Sequence, residues 1–261
     1  MIIFAFLQGR LILQLTKMKK IFLLLTVLIG VAATAQTTDT KKKDWSKIDL
    51  SNRSKDHFMI QYGIDKWTNR PDSVRTGNGL SRHFNLYFML DKPFKSNPKM
   101  SLGFGVGIGS SNIFFNNVNV DIKSTAARLP FTIADSMNHF NKFKVTNIYL
   151  EVPVELRYFS NPANPNASWK FAIGAKIGTL LKSFTKGKDL VNRQGQSLYG
   201  KNYIQKESSK RFFNGTPIAI TGRVGYGIVS LHGSYQVTSV LREGFGADMN
   251  RFTVGFTISG L

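Results

Sequence analysis

Six charged residues hold the densest chemistry in the sequence: Glu151, Glu155, Arg157, Lys170, Lys176 and Arg223. Two carboxylates four residues apart could act as acid and base on a glycosidic bond. Carboxylates among lysines and arginines could also line a path for a small ion. Each of these residues, however, sits between apolar neighbours, as in Leu150-Glu151-Val152 and Val154-Glu155-Leu156. Along an extended chain, alternate residues point to one side. Charges on a side closed to water must be paired to be tolerated. The expectation is a lumen ion-pair cluster that plugs a narrow interior, where no sugar chain would fit.

A second basic set lies in 185–211: Lys186, Lys188, Arg193, Lys201, Lys206, Lys210 and Arg211, against Asp189 and Glu207. Such a segment could bind the phosphates of lipopolysaccharide. The histidines, His57, His83, His139 and His232, show no metal-ligand spacing, so neither a metal site nor a cofactor is expected. His232 shares a strand face with Ser230 and Ser234, but neighbours on one strand seldom reach the geometry of a Ser–His pair. Glycines at 103, 105, 107 and 109 have the wrong spacing for a nucleotide loop, and no amphipathic helix follows.

The elements that position these residues follow from period-two alternation. Apolar residues recur at every second position near 58–64, 84–90, 102–108, 148–158, 169–177, 218–226, 229–237 and 252–258. These predict eight strands. The intervening stretches, about 65–79, 91–99, 113–145, 161–168, 185–211, 226–228 and 239–249, alternate long and short. Membrane barrels sort their connections this way, with long outer loops and short periplasmic turns. The polar faces are glycine-rich or charged, and the apolar faces carry Phe, Leu, Ile, Trp and Tyr. The apolar side therefore suits lipid and the polar side a crowded lumen. The expected fold is all-β: an eight-stranded antiparallel up-and-down transmembrane β-barrel with a polar filled interior, too narrow for an open pore. Tyr158, Trp169 and Tyr226 fall near strand ends, where an aromatic girdle belongs. Pro153 lacks an N–H in mid-strand, which predicts a bulge or a missing ladder bond. The 113–145 connection, with Phe114, Phe115, Leu129, Phe131, Ile133 and Phe140, is apolar enough to pack over the barrel mouth.

Composition agrees with export. The 261 residues include no Cys, which excludes a disulfide scaffold and thiolate metal sites. Aromatic residues make up 12%, too many for a disordered chain. Lys19-Lys20, the apolar run Ile21–Ala32 and Ala33-Thr34-Ala35 form a secretory signal. Residues 1–35 are expected to be the signal peptide, with Met18 the true start and cleavage after Ala35. Residues 36–55 read as a flexible basic segment and 56–261 as the barrel. The formal charge of +20 would suit nucleic acid, but export argues against that partner.

Tyr149-Leu150-Glu151-Val152-Pro153-Val154-Glu155-Leu156-Arg157-Tyr158 resembles the Y-L-E-x-P-x-x-x-[KR]-[YF] strand of PorT-like outer-membrane β-barrel proteins. The resemblance extends over about 57–261 and implies an eight-stranded barrel in the outer membrane of a Gram-negative bacterium. It implies little about chemistry. The functional expectation is a non-enzymatic barrel with a structural, envelope or loop-mediated binding role. Its partners would be outer-membrane lipids, lipopolysaccharide or a protein held by the outer loops. Two alternatives stay open: a small membrane-embedded hydrolase or acyltransferase acting at the outer rim, and a soluble secreted β-barrel binding an apolar ligand.

Overall fold

The computed structural model describes residues 50, 53, 56–72, 74, 76, 77, 81–133 and 138–260. The expected signal segment 1–35, its start at Met18 and cleavage after Ala35 lie outside the described residues, as does nearly all of the basic segment 36–55. Contacts divide the chain after Asp44, and all described residues belong to the second unit, Trp45–Leu261.

Eleven strands are present among the described residues. They are β1 (Asp56–Thr68), β2 (Arg82–Pro93), β3 (Met100–Phe115), β4 (Val118–Val120), β5 (Phe131–Ile133) and β6 (His139–Phe159), followed by β7 (Trp169–Val191), β8 (Ile204–Ser208), β9 (Ile218–Tyr226), β10 (Val229–Gln236) and β11 (Asn250–Ser259). Eight of them form a ring in the order β6-β3-β2-β1-β11-β10-β9-β7, closed by β6 against β7. Every neighbouring pair is antiparallel. Closure leaves no edge through which backbone N–H and C=O groups would face lipid. Short turns link β2 to β3, β6 to β7 and β9 to β10 at one end, and long connections link β1 to β2, β3 to β6, β7 to β9 and β10 to β11 at the other.

The apolar faces point outward from all eight strands. Phe256 is 62% and Ile173 57% exposed, with Phe58, Leu86, Ile108, Val154, Ile220 and Leu231 in the same belt. A continuous apolar girdle of this extent is foreign to a soluble monomer and normal for a membrane barrel. The soluble alternative, which needs the apolar side turned in, is thereby set aside. Trp169 and Tyr226, at the short-turn end, meet with ring centroids 5.6 Å apart.

The interior is polar and filled, apart from a small apolar patch of Met59, Tyr87 and Met89. The glycines of β3 make this filling possible. A Cβ on Gly103 would fall 2.4 Å from Arg157 Cζ, one on Gly107 2.6 Å from Tyr87 Cδ1, and one on Gly109 2.7 Å from Glu151 Oε2. Each missing side chain is replaced by a large neighbour lying across the strand. Between β3 and β6 the register runs continuously except opposite Pro153, where Gly105 and Val106 drop out of the ladder. This is the missing bond that a residue without an N–H requires.

Above the membrane belt the polarity inverts. β6 and β7 continue well past it, and a register shift at Ile148/Tyr149 marks the change. Beyond that point the inward residues of β6 become apolar, while Ser183, Thr185 and Asp189 keep the inward side of β7 polar. Ile113, Phe115, Phe143, Val145 and Leu180 join Trp67, Phe212, Phe213, Val240, Leu241 and Met249 in one buried core. Leu129, Phe131 and Phe140 of the long connection pack into or against it, whereas Ile133 is 44% exposed. The barrel thus carries a packed head.

The extent of the strands corrects two sequence boundaries. Residues 139–145 and 185–191 belong to β6 and β7, and 204–208 to β8, where 113–145 and 185–211 were expected to be loops. For β6 the physical reason is a second alternation of lysine with apolar residues, Lys142-Phe143-Lys144-Val145, and β7 and β8 extend by pairing alongside it. That alternation extends β6 with the same positions facing inward but with their polarity reversed.

Candidate functional site

The expected lumen residues fall into two groups at different heights, formed because alternate residues of facing strands share the enclosed side. The first group centres on Glu151. Lys176 Nζ lies 2.8 Å from Glu151 Oε2 and Arg251 Nη2 lies 3.7 Å from Oε1. The Tyr87 hydroxyl also donates to Glu151. Arg251 stacks over the Tyr149 ring at 5.2 Å.

The second group lies toward the short turns. Glu155 Oε2 accepts from Arg157 Nε at 2.9 Å and from Arg223 Nη2 at 2.8 Å. Asp91 accepts from Arg53 at 2.6 Å, from Ser101 at 2.6 Å and from Arg157 at 3.4 Å. Lys170 takes part in no ion pair among the described residues. It lies 5.6 Å from the Phe159 ring and lines a cavity.

The sequence reading missed Asp65, Asp91, Arg251 and Arg53 as interior groups. The first three stand just past the ends of the apolar alternation. Extending each strand by one more polar–apolar step would have found them. Asp65 belongs to a third network. It accepts from Ser111 and, at 2.7 Å, from Thr253, and His83 Nδ1 stands 3.3 Å away. His83 Nε2 lies 2.9 Å from His232 Nε2, whose ring also bonds Thr257 at 2.9 Å. No local spacing could pair two histidines 149 positions apart. His57 lies elsewhere, 3.5 Å from Arg157 Nη1. Among the described residues no cluster of three metal-ligating side chains occurs.

The basic outer segment is not one surface. Arg211, although exposed, is already engaged: its guanidinium donates to the backbone carbonyls of Ser124, Thr125 and Ala126 at 2.9–3.2 Å. Lys210 Nζ donates to the Leu180 carbonyl at 3.3 Å. Arg193 and Lys201 are exposed on the connection between β7 and β8. Lys186 and Lys188 lie on β7 and Lys206 on β8, on the outward face above the belt.

There, Lys186 pairs directly with Lys144 on one side and with Lys206 on the other. Lys142 faces Lys188 one step further along. Three lysines thus stand in a row across β6, β7 and β8, with neighbouring Cβ atoms about 4.5–5.5 Å apart. Lys144 donates to Asn112 Oδ1 at 2.7 Å. Its ammonium is held below the usual lysine range by partial burial, then by the charges of Lys186 and Lys206. Like charges placed opposite one another destabilise a sheet, and none of the three has a carboxylate partner among the described residues. Lys142, Lys144 and Lys182 lay outside the sequence-derived set. The alternation around Phe143 and Val145 was the signal that could have included the first two.

No curated protein matches the sequence. Among solved structures, Ail, the attachment invasion locus protein of Yersinia pestis, crystallised with the heparin analogue sucrose octasulfate, is 14% identical, covers 78% of this chain and 97% of its own, and has a TM-score of 0.29. Neisserial surface protein A is 9% identical, with 79% and 96% coverage and a TM-score of 0.33. A sequence model described as the outer membrane protein beta-barrel domain matches residues 57–242, from the start of β1 to beyond β10. With most of the closed ring inside that match, the chain belongs to the outer membrane protein beta-barrel domain family.

Proposed function

We propose that this is a non-enzymatic outer-membrane barrel whose head holds the phosphate groups of lipopolysaccharide against the outward face of β6–β8. The observation that carries the reading is the row Lys144–Lys186–Lys206, immediately above the lipid-facing belt. A like-charge row without carboxylates costs stability by itself. Bound phosphates reverse the sign of that cost, because charge-assisted hydrogen bonds to phosphate are among the stronger polar contacts. The height also fits, since the headgroups of the outer leaflet begin where the apolar belt ends. Lys142, Lys182 and Lys188 widen the same face.

The interior ion pairs serve as a structural plug in this reading. Their carboxylates are already engaged by arginine, lysine or tyrosine, which leaves them no role as a general base. The protein also takes a place in the PorT-like branch of the family. Strand β6 supports this, because Tyr149, Glu151, Pro153 and Arg157 of the matching motif all point inward, where the first two and Arg157 anchor interior contacts. Export through a signal cleaved after Ala35 completes the proposal.

The test is lipopolysaccharide retention. Wild-type barrel and the triple variant K144Q/K186Q/K206Q are extracted from outer membranes in a mild detergent, and bound lipopolysaccharide phosphate is measured per chain. Loss of three charge-assisted contacts should lower retention more than about tenfold, with the heat-dependent gel shift of a folded barrel unchanged. Equal retention by the triple variant would remove the reading. Turnover of lipid or peptide substrates above a boiled control would overturn the non-enzymatic assignment.

A further inference from the structure

At the short-turn end, between the barrel wall and the 160–168 turn, lies a cavity of about 300 Å³. Its charged lining is unbalanced. Arg53, Arg157, Lys170 and Arg223 reach it, and among the described residues two carboxylates, Asp91 and Glu155, oppose them. Both carboxylates are already shared. One oxygen of Glu155 accepts from Arg157 and Arg223 together, and Asp91 accepts from Arg53, Ser101 and Arg157. The arginines still have donors to spare. Arg157 Nη2 and Arg223 Nε are buried without any acceptor, on side chains 3% and 7% exposed.

A buried unpaired donor on a charged group is costly, and an orphan of this kind calls for an occupant. We propose that this cavity is an anion site that takes a phosphate ester. Two guanidinium groups and one ammonium offer donors from several directions, which suits tetrahedral oxygens better than a planar acceptor. A phosphate dianion matches the surplus of four cations over two carboxylates. The cavity exceeds a bare phosphate, and Phe159 and Pro165 give it an apolar side for an organic substituent. The cavity lies at the short-turn end of the barrel, the end nearest the inner leaflet. The same phosphate-ester chemistry can therefore come from a phospholipid headgroup or from a soluble metabolite. The site stands at the opposite end of the barrel from the lysine face and does not depend on it.

Calorimetric titration of the full-length folded barrel in neutral detergent tests this, with two probes. Phenyl phosphate represents a soluble ester and dihexanoyl phosphatidic acid, also a phosphate monoester, a headgroup; the probe that binds more tightly identifies the source. Saturable binding at one site per chain is expected. Lys170→Gln should weaken it at least about tenfold and carries little folding risk, because Lys170 has no ion-pair partner among the described residues. Arg157→Gln should weaken it further, and its heat-dependent gel shift reports whether it has folded. Lys92→Gln, which removes an exposed cation at the same end, should bind like wild type. No saturable binding of either probe up to about 10 mM overturns the proposal. So does wild-type affinity in Lys170→Gln, or an equal loss in Lys92→Gln.

Discussion

The barrel body and the head are built from the same strands with opposite polarity. In the body, Glu151, Glu155 and Arg157 of β6 point inward and Leu150, Val152 and Val154 point to lipid. In the head, Phe143 and Val145 of that strand point inward and Lys142 and Lys144 point to water. The change falls at the register shift beside Tyr149. What sets each face is the medium that it meets. Below the shift the outer medium is hydrocarbon, so the enclosed space must take the polar groups and pair them. Above it the outer medium is water, and the enclosed space gathers a hydrophobic core, with Ser183 and Thr185 of β7 buried at its side. The body is held by mutual satisfaction of charges, and the head by apolar burial.

The largest test of that contrast is Glu151→Ala. It leaves Lys176, Arg251 and the Tyr87 hydroxyl without their shared acceptor, and breaking one side of a buried ion pair costs about 3–5 kcal/mol. Denaturant titration of the refolded barrel should show this as loss of the whole cooperative transition at lower denaturant. The double variant Glu151→Met/Lys176→Met should recover much of it, because apolar side chains of similar volume need no partner. If the single variant unfolds like wild type, the body is not held by charge pairing.

Phe213→Ala carries a comparable nominal cost, about 3–5 kcal/mol for a fully buried Phe, with a different reach. It should open the head, seen as faster proteolysis within 192–217, while the heat-dependent shift of the barrel persists. A barrel that melts with its head would mean that the two regions form one cooperative unit. Gly103→Val is a smaller perturbation of the body. Its side chain would collide with the Arg157 guanidinium, and overpacking of this kind costs about 1–3 kcal/mol.

The smallest effect has the opposite sign. Lys206→Gln removes a charge directly opposite Lys186, so it should stabilise the head by about 0.2–1 kcal/mol while lowering lipopolysaccharide retention. It should also raise the Lys144 pKa, which NMR titration of the ammonium would detect. With that pKa depressed in the folded state, the unfolded chain binds the proton more readily. Head stability therefore rises with pH between the folded value and the ordinary lysine value. Relief by Lys206→Gln should flatten that rise.

The sequence alone determined the eight membrane strands, their up-and-down order, the sorting of long and short connections and the lumen-facing glycines. All of these rest on period-two alternation and turn length, which are local properties of the chain. Pro153 belongs with them, since a missing N–H marks its own gap in the ladder. Only the tertiary structure decided which interior charges meet. Arg251 reaches Glu151, Arg53 reaches Asp91 and His83 reaches His232 because of closure and register, which no single strand encodes. The same holds for the outward lysines. A residue such as Lys144 carries no mark of facing lipid, lumen or water until β6 passes the edge of the membrane and the polarity of its faces reverses.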